Sequence, residues 1–178
     1  MNPTVQVRVD IGGSDRVPHT FLSIIHPDGR EVEYGFVSAE NLSAAGPGRI
    51  DISGPGAGRD RHEYDFLTPR ISLSDVDYSR LMERINQSIG NPPNYLLPGT
   101  WWPGSSGTNC TGWTADIWNG SGLPNISGVT NSWAWNPYGQ AIWIKVSDWW
   151  RTAIAPPPPR PNPPKLRIPP TDIKNYLK

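Results

Sequence analysis

The first 37 residues constrain the fold more tightly than any other part of the chain. Val5, Val7, Val9 and Ile11 alternate with polar residues, the period-2 pattern of a half-buried strand. Gly12-Gly13-Ser14-Asp15 reads as a turn, His19 to Ile25 as a second strand and Glu31 to Val37 as a third. Between these two strands, His26-Pro27-Asp28-Gly29-Arg30 supplies turn chemistry. Proline presets one backbone angle and glycine accepts positive φ. The second and third strands therefore form a hairpin. His19, Phe21, Ser23 and Ile25 share one of its faces. With the turn centred on Asp28, the partners on that face are Glu31, Glu33 and Gly35.

The remaining chain mixes element types. Residues 38–60 carry many glycines and few large apolar side chains, which predicts a long loop or cover segment. Glu63 to Leu67 alternates and reads as another strand. Residues 72–88 predict a helix, capped by Ser74 or Asp75, with Val76, Leu81, Met82 and Ile85 forming its apolar stripe. Asn91-Pro92-Pro93-Asn94 ends it. A second helix starts at Cys110 and stops near Asn119-Gly120-Ser121-Gly122, a glycine-rich C-cap. Residues 141–147 read as a late strand or a short helix. From Ala155 onward the chain reads as polyproline II, holding nine of the 21 prolines. These elements predict an α+β domain over residues 1–154 and a proline-rich tail over 155–178.

Charge and hydropathy exclude several classes of function. Lys plus Arg number 16 and Asp plus Glu number 16, so the excess of cations needed for general nucleic-acid binding is missing. No run of 18 apolar residues offers a transmembrane helix. The N-terminal residues read as a strand and lack the apolar core of a signal peptide. The expectation is a protein made soluble in the cytoplasm, or one exported without a cleaved signal.

Cys110 is the single cysteine, so no internal disulfide forms, and one cysteine with no ligand cluster predicts no metal. It stands at a helix start, where free N–H groups and a partial positive charge favour the thiolate. A nucleophilic cysteine needs a base and a group that orients the base. Of the three histidines, His26 falls in the hairpin turn and His62 in a loop rich in arginine and aspartate. His19 opens a strand and is the best candidate base. The third group should lie on the paired strand and the same face, which selects Glu31, with Glu33 as the alternative.

The order His19, Glu31, Cys110, separated by 12 and then 79 positions, resembles the circularly permuted NlpC-type papain-like cysteine hydrolases. More distantly it resembles the lecithin:retinol acyltransferase-like enzymes, which also carry an Asn-Cys helix start, here Asn109-Cys110. The pieces His19-Thr20-Phe21-Leu22-Ser23, Tyr34-Gly35-Phe36, Asn91-Pro92-Pro93-x-Tyr95 and Asn109-Cys110-Thr111-x-Trp113 are similar to small bacterial permuted peptidases, including amidase effectors of type VI secretion. The resemblance covers about residues 4–125. It implies a permuted papain-like fold, with an antiparallel sheet packed on the helix that bears the nucleophile. It implies cleavage of an amide in peptidoglycan stem peptides, without a cofactor. Cys110 would be the nucleophile and His19 the base, and the backbone N–H of Cys110, helped by Asn109, would bind the oxyanion. An antibacterial effector would be exported by a non-classical route to a target periplasm and countered by an immunity protein. The acyltransferase group has histidine as its third residue, whereas this chain has Glu31, which favours amide hydrolysis over lipid chemistry.

All nine tryptophans lie between Trp101 and Trp150. Trp101 and Trp102 precede the nucleophile and are candidates to line a substrate cleft. Trp113 is a candidate for the same role or for the core, and Trp118 reads as core. The proline-rich tail is either a plain terminus or a docking segment for a secretion component or inhibitor. Two other functions compete: a thioesterase or lipid acyl hydrolase on the same fold, and a non-enzymatic carbohydrate- or protein-binding module in which Cys110 is buried and inert.

Overall fold

The computed structural model describes residues 1–12, 18–40, 45–97, 106–126, 129 and 137. Over these residues it is α+β, with a sheet whose named strands pair antiparallel and two α-helices. The strands are β1 (Thr4–Asp10), β2 (His19–Ile25), β3 (Glu31–Ser38), β4 (Ala45–Ser53), β5 (Phe66–Leu67), β6 (Ile71–Ser72) and β7 (Asn94–Leu96). They lie in the order β5-β1-β2-β3-β4-β7, with β6 also pairing with β1. The helices are α1 (Asp75–Gly90) and α2 (Cys110–Gly120). No helix among the described residues is long and apolar enough to cross a membrane.

The β2–β3 hairpin forms as its turn chemistry predicts. Ile25 pairs with Glu31, Ser23 with Glu33 and Phe21 with Gly35. Gly29 takes φ +85°, and its N–H donates to the His26 carbonyl at 2.9 Å. His26 anchors the turn to α1: its Nδ1 lies 2.6 Å from the Tyr78 hydroxyl and its Nε2 3.4 Å from that of Tyr34. Ser74 caps α1 by accepting from the Asp77 N–H, and Asp75 and Asp77 place negative charge on the first turn, where the helix dipole favours it.

Two expectations from sequence are corrected. Residues 38–60 are not one long loop, because residues 45–53 form β4, which pairs with β3 from Glu33↔Ser53 to Ser38↔Gly48. Arg49, Asp51 and Ser53 alternate there with Ile50 and Ile52, and the glycines on either side mask that short pattern. The strand expected over 63–67 is limited to Phe66–Leu67. The segment before it is held by single bonds instead, such as Asp65 N–H to the Val9 carbonyl at 2.9 Å.

One sheet face is apolar. Val5, Val7, Val9, Leu22, Ile24, Val32, Tyr34 and Phe36 meet Leu81 and Ile85 of α1 and Trp113, Ile117 and Trp118 of α2. Fully burying each large side chain contributes about 1.5–3 kcal/mol. The other face is polar, yet it is buried as well. Gln6, Arg8, Ser23 and Glu33 are all at most 6% exposed, because residues 54–70 return across them. β1 is thus covered on both faces, where its alternation predicts burial on one.

Burying charge is costly unless it is paired. Arg8 donates from Nη1 to Glu33 Oε1 and from Nη2 to Glu31 Oε1, both at 2.7 Å. Arg70 reaches Glu31 Oε1 at 3.1 Å and Arg61 reaches Oε2 at 2.6 Å. Gln6 Nε2 donates to the Thr68 carbonyl at 2.6 Å. Replacing Arg8 with Met leaves Glu31 and Glu33 without their shared buried cation. Urea denaturation should report a loss of roughly 3–5 kcal/mol for Arg8→Met. A loss under about 1 kcal/mol would show that this pairing does not hold the polar face together.

Candidate active site

α2 begins at Cys110 because Asn109 caps it. Asn109 is extended, and its Oδ1 accepts the Gly112 N–H at 2.9 Å. That capping bond engages the side-chain oxygen of Asn109. The Cys110 side chain is 4% exposed. Burial raises its thiol pKa, and hydrogen bonds from the backbone N–H of Thr20 and from Thr111 only partly oppose that effect. Cys110 Sγ lies 4.0 Å from Thr111 Oγ1.

The first turn of α2 sits on the side of β2 that carries Thr20 and Leu22. Thr20 Oγ1 lies 3.3 Å from Thr111 Oγ1, and Trp113 stacks on Phe36 with ring centroids 6.2 Å apart. His19 directs its ring to the other side. It stacks on Phe21 at 5.8 Å and lies 5.4 Å from the His62 ring. It also lies so close over Gly35 that a Cβ there would come within 2.4 Å of His19 Nε2. Neighbouring residues of a strand point to opposite faces, so Cys110 and His19 meet the same stretch of β2 from its two sides. No hydrogen bond joins the two side chains. His19 Nε2 is buried with no partner among the described residues.

Neither glutamate orients His19. Glu31 pairs with Ile25, at the far end of β2 from His19, and is engaged by Arg8, Arg61, Arg70 and Ser23. Burial opposes its ionisation, but the Ser23 hydroxyl and the three guanidinium groups outweigh it and hold the carboxyl below its usual range. Glu33 is fully buried and binds His62 and Arg8 instead.

The histidine passed over in the sequence reading holds the centre of this face. His62 Nδ1 lies 3.2 Å from Glu33 Oε2 and 2.7 Å from Ser53 Oγ, while Nε2 lies 3.1 Å from Asp51 Oδ2. Its backbone N–H donates to Glu33 Oε2 at 2.8 Å. Burial works against the charged ring, but Asp51 and Glu33 prevail and push its pKa up to about 9. The hydrogen bond from His62 in turn draws Asp51 down to about 2. Burial, reinforced by the His62 charge, takes His19 down to about 3. His62 is therefore an imidazolium and His19 a neutral imidazole at neutral pH. The sequence signal for His62 lay in β4, which supplies Asp51 and Ser53.

Trp113 is 2% exposed and belongs to the core, not to an open substrate surface. Trp118 is fully buried and donates from Nε1 to the Pro124 carbonyl at 2.9 Å. Trp101, Trp102, residues 141–147 and the tail over 155–178 lie outside the described residues. No cluster of three or more metal-ligating side chains occurs among the described residues. No known protein family, curated protein or solved structure matches the chain.

Two measurements follow from this geometry. Gly35→Ala should destabilise the protein by about 1–3 kcal/mol through overpacking against the imidazole. The same change in a His19→Ala background should cost markedly less. Equal costs in the two backgrounds would mean that His19 does not fill the space above Gly35.

The second concerns pH. His19 has a lowered pKa, so the unfolded chain binds more protons between pH 6.5 and about 3, and stability falls as pH drops through that window. His62 has a raised pKa, so its contribution is complete below pH 6.5 and is lost as pH rises toward about 9. Thermal melts should peak near pH 6.5, and His62→Gln should flatten the alkaline limb. An alkaline limb unchanged in that variant would contradict the assigned charge.

Proposed function

We propose that the protein is a cysteine hydrolase of the permuted papain-like type that cleaves an amide bond in peptidoglycan stem peptides. The observation that carries this reading is the seat of α2 on β2: the hydroxyl of Thr20, the residue next to His19, lies 3.3 Å from that of Thr111, the residue next to Cys110. Nucleophile and base candidates 91 positions apart in sequence are thereby set on one short stretch of strand. His19 Nε2 adds support. A buried polar atom without a partner costs about 1–3 kcal/mol, and a catalytic role is one reason for a fold to keep one.

In this mechanism the resting thiol is protonated. The His19 ring turns from its place over Gly35 toward the strand edge and takes the Sγ proton. The thiolate attacks the amide carbonyl, and the Cys110 backbone N–H, at the helix start, donates to the oxyanion. The imidazolium then protonates the leaving amine, and water hydrolyses the thioester. An effector of this kind would travel by a dedicated secretion route, with the proline-rich tail as its docking segment and an immunity protein as its inhibitor.

One observation favours a second reading. Cys110 is 4% exposed and its thiol is held protonated by burial, as expected of an inert cysteine in a binding module. Incubation with isolated sacculi and mass analysis of the products separates the two. Wild-type protein should release new muropeptides, and Cys110→Ala and His19→Ala should each reduce release by roughly 10³-fold or more. Release that persists in Cys110→Ala would remove Cys110 from catalysis. No release by wild type, together with iodoacetamide labelling only after unfolding, would support the binding module.

A further inference from the structure

We infer that His62 sets the resting place of His19: clamped between Asp51 and Glu33, it holds the His19 ring over Gly35, the place from which that ring must turn to reach Cys110. The functional meaning rests on the reading of His19 as the base, but the physical coupling does not. Three rings make the contact. His62 lies 4.7 Å from Phe21 and 5.4 Å from His19, and Phe21 stacks on His19 at 5.8 Å. His62 therefore wedges against the two rings on the polar face of β2.

The wedge is fixed by its own partners. Both ring nitrogens of His62 face acceptor oxygens, and its backbone N–H is bound to Glu33 as well. The ring has no lone pair left to accept a proton from His19, so it acts on its neighbour through charge and shape. Among the described residues, the charged groups around the pair have partners of their own. Asp51 on β4 and Glu33 on β3 neutralise His62 directly. Arg8 on β1 is spent on Glu31 and Glu33. Asp10, opposite His19 in the β1–β2 register, accepts the Gly12 N–H at 2.7 Å. Arg59 is bound to Asp51 and Arg61 to Glu31. A second cation on His19 would face the His62 charge at close range in a poorly solvated setting.

This arrangement differs from a carboxylate bonded to the base. The carboxylates act on His62, and His62 acts on His19. The segment that carries His62 thus sets how readily His19 takes a proton. Any movement that lifts it from Asp51 and Glu33 makes His19 more basic.

The test is an NMR titration of the full chain that follows the histidine ring resonances from acid to alkaline pH. In wild type, the His19 resonances should show a second inflection that tracks His62 as it deprotonates near pH 9. In His62→Gln the His19 titration should move upward by roughly a unit, while burial keeps it below 6.5. His62→Lys, which retains the charge, should leave it near the wild-type position. A wild-type His19 signal blind to the His62 titration would overturn the inference, even if neither variant folds. So would an upward move of equal size in both variants. Because the titration reads protonation without turnover, a chain with no amidase activity that still shows the coupling would fail only the proposed reaction.

Discussion

The pairing of Arg8 with Glu31 and Glu33 in the middle of the sheet is the interaction on which the rest depends. Three charges leave water there, and each is matched at 2.7 Å. Because they are matched, residues 54–70 close over the polar face without stranding a charge. That closure brings His62 to Glu33 and Asp51, and His62 to His19. Without the Arg8 cation, the two glutamates would repel each other and demand solvent, and the cover would have no ionic surface on which to dock.

The two faces of the sheet consequently do different work. The apolar face holds α1 and α2 through Leu81, Ile85, Trp113, Ile117 and Trp118, and so sets where the Cys110 thiol stands. The polar face buries His19 and packs it against Phe21 and His62. β2 is the shared wall: Thr20 touches α2 on one side and His19 fills the space above Gly35 on the other. In the reaction we propose, catalysis joins these two sides at the end of the strand, so the position of the His62 segment and the seat of α2 control it together.

Much of this framework was legible in local sequence. Pro27, Asp28 and Gly29 determined the hairpin and its register, because turn stereochemistry depends on those residues alone. Asn109 before Cys110, and Ser74 before Asp77, marked the helix starts, since a cap needs one short polar side chain next to a helical run. β4 was hidden because Gly46, Pro47, Gly48 and Gly54 surround its short Ile50–Ile52 alternation. Losing β4 meant losing Asp51 and Ser53, and with them the reason for His62 to be buried. Glu31 and Glu33 were correctly placed on the face of His19. Their roles were misread because Arg8, the cation that claims both, stands on a strand that local patterning cannot align with β3.

The sequence by itself determined that the chain forms an antiparallel hairpin, that a helix starts at its single cysteine, and that His19 shares a strand face with Phe21 and Ser23. These are consequences of backbone stereochemistry and period-2 geometry within a few residues. Only the tertiary structure decided which sheet face receives α2, and that both faces are buried. It also decided that Asp51 and Glu33 bind His62 and not His19. Those outcomes depend on matching charges and volumes brought together from distant segments, and no local pattern of residues carries that information.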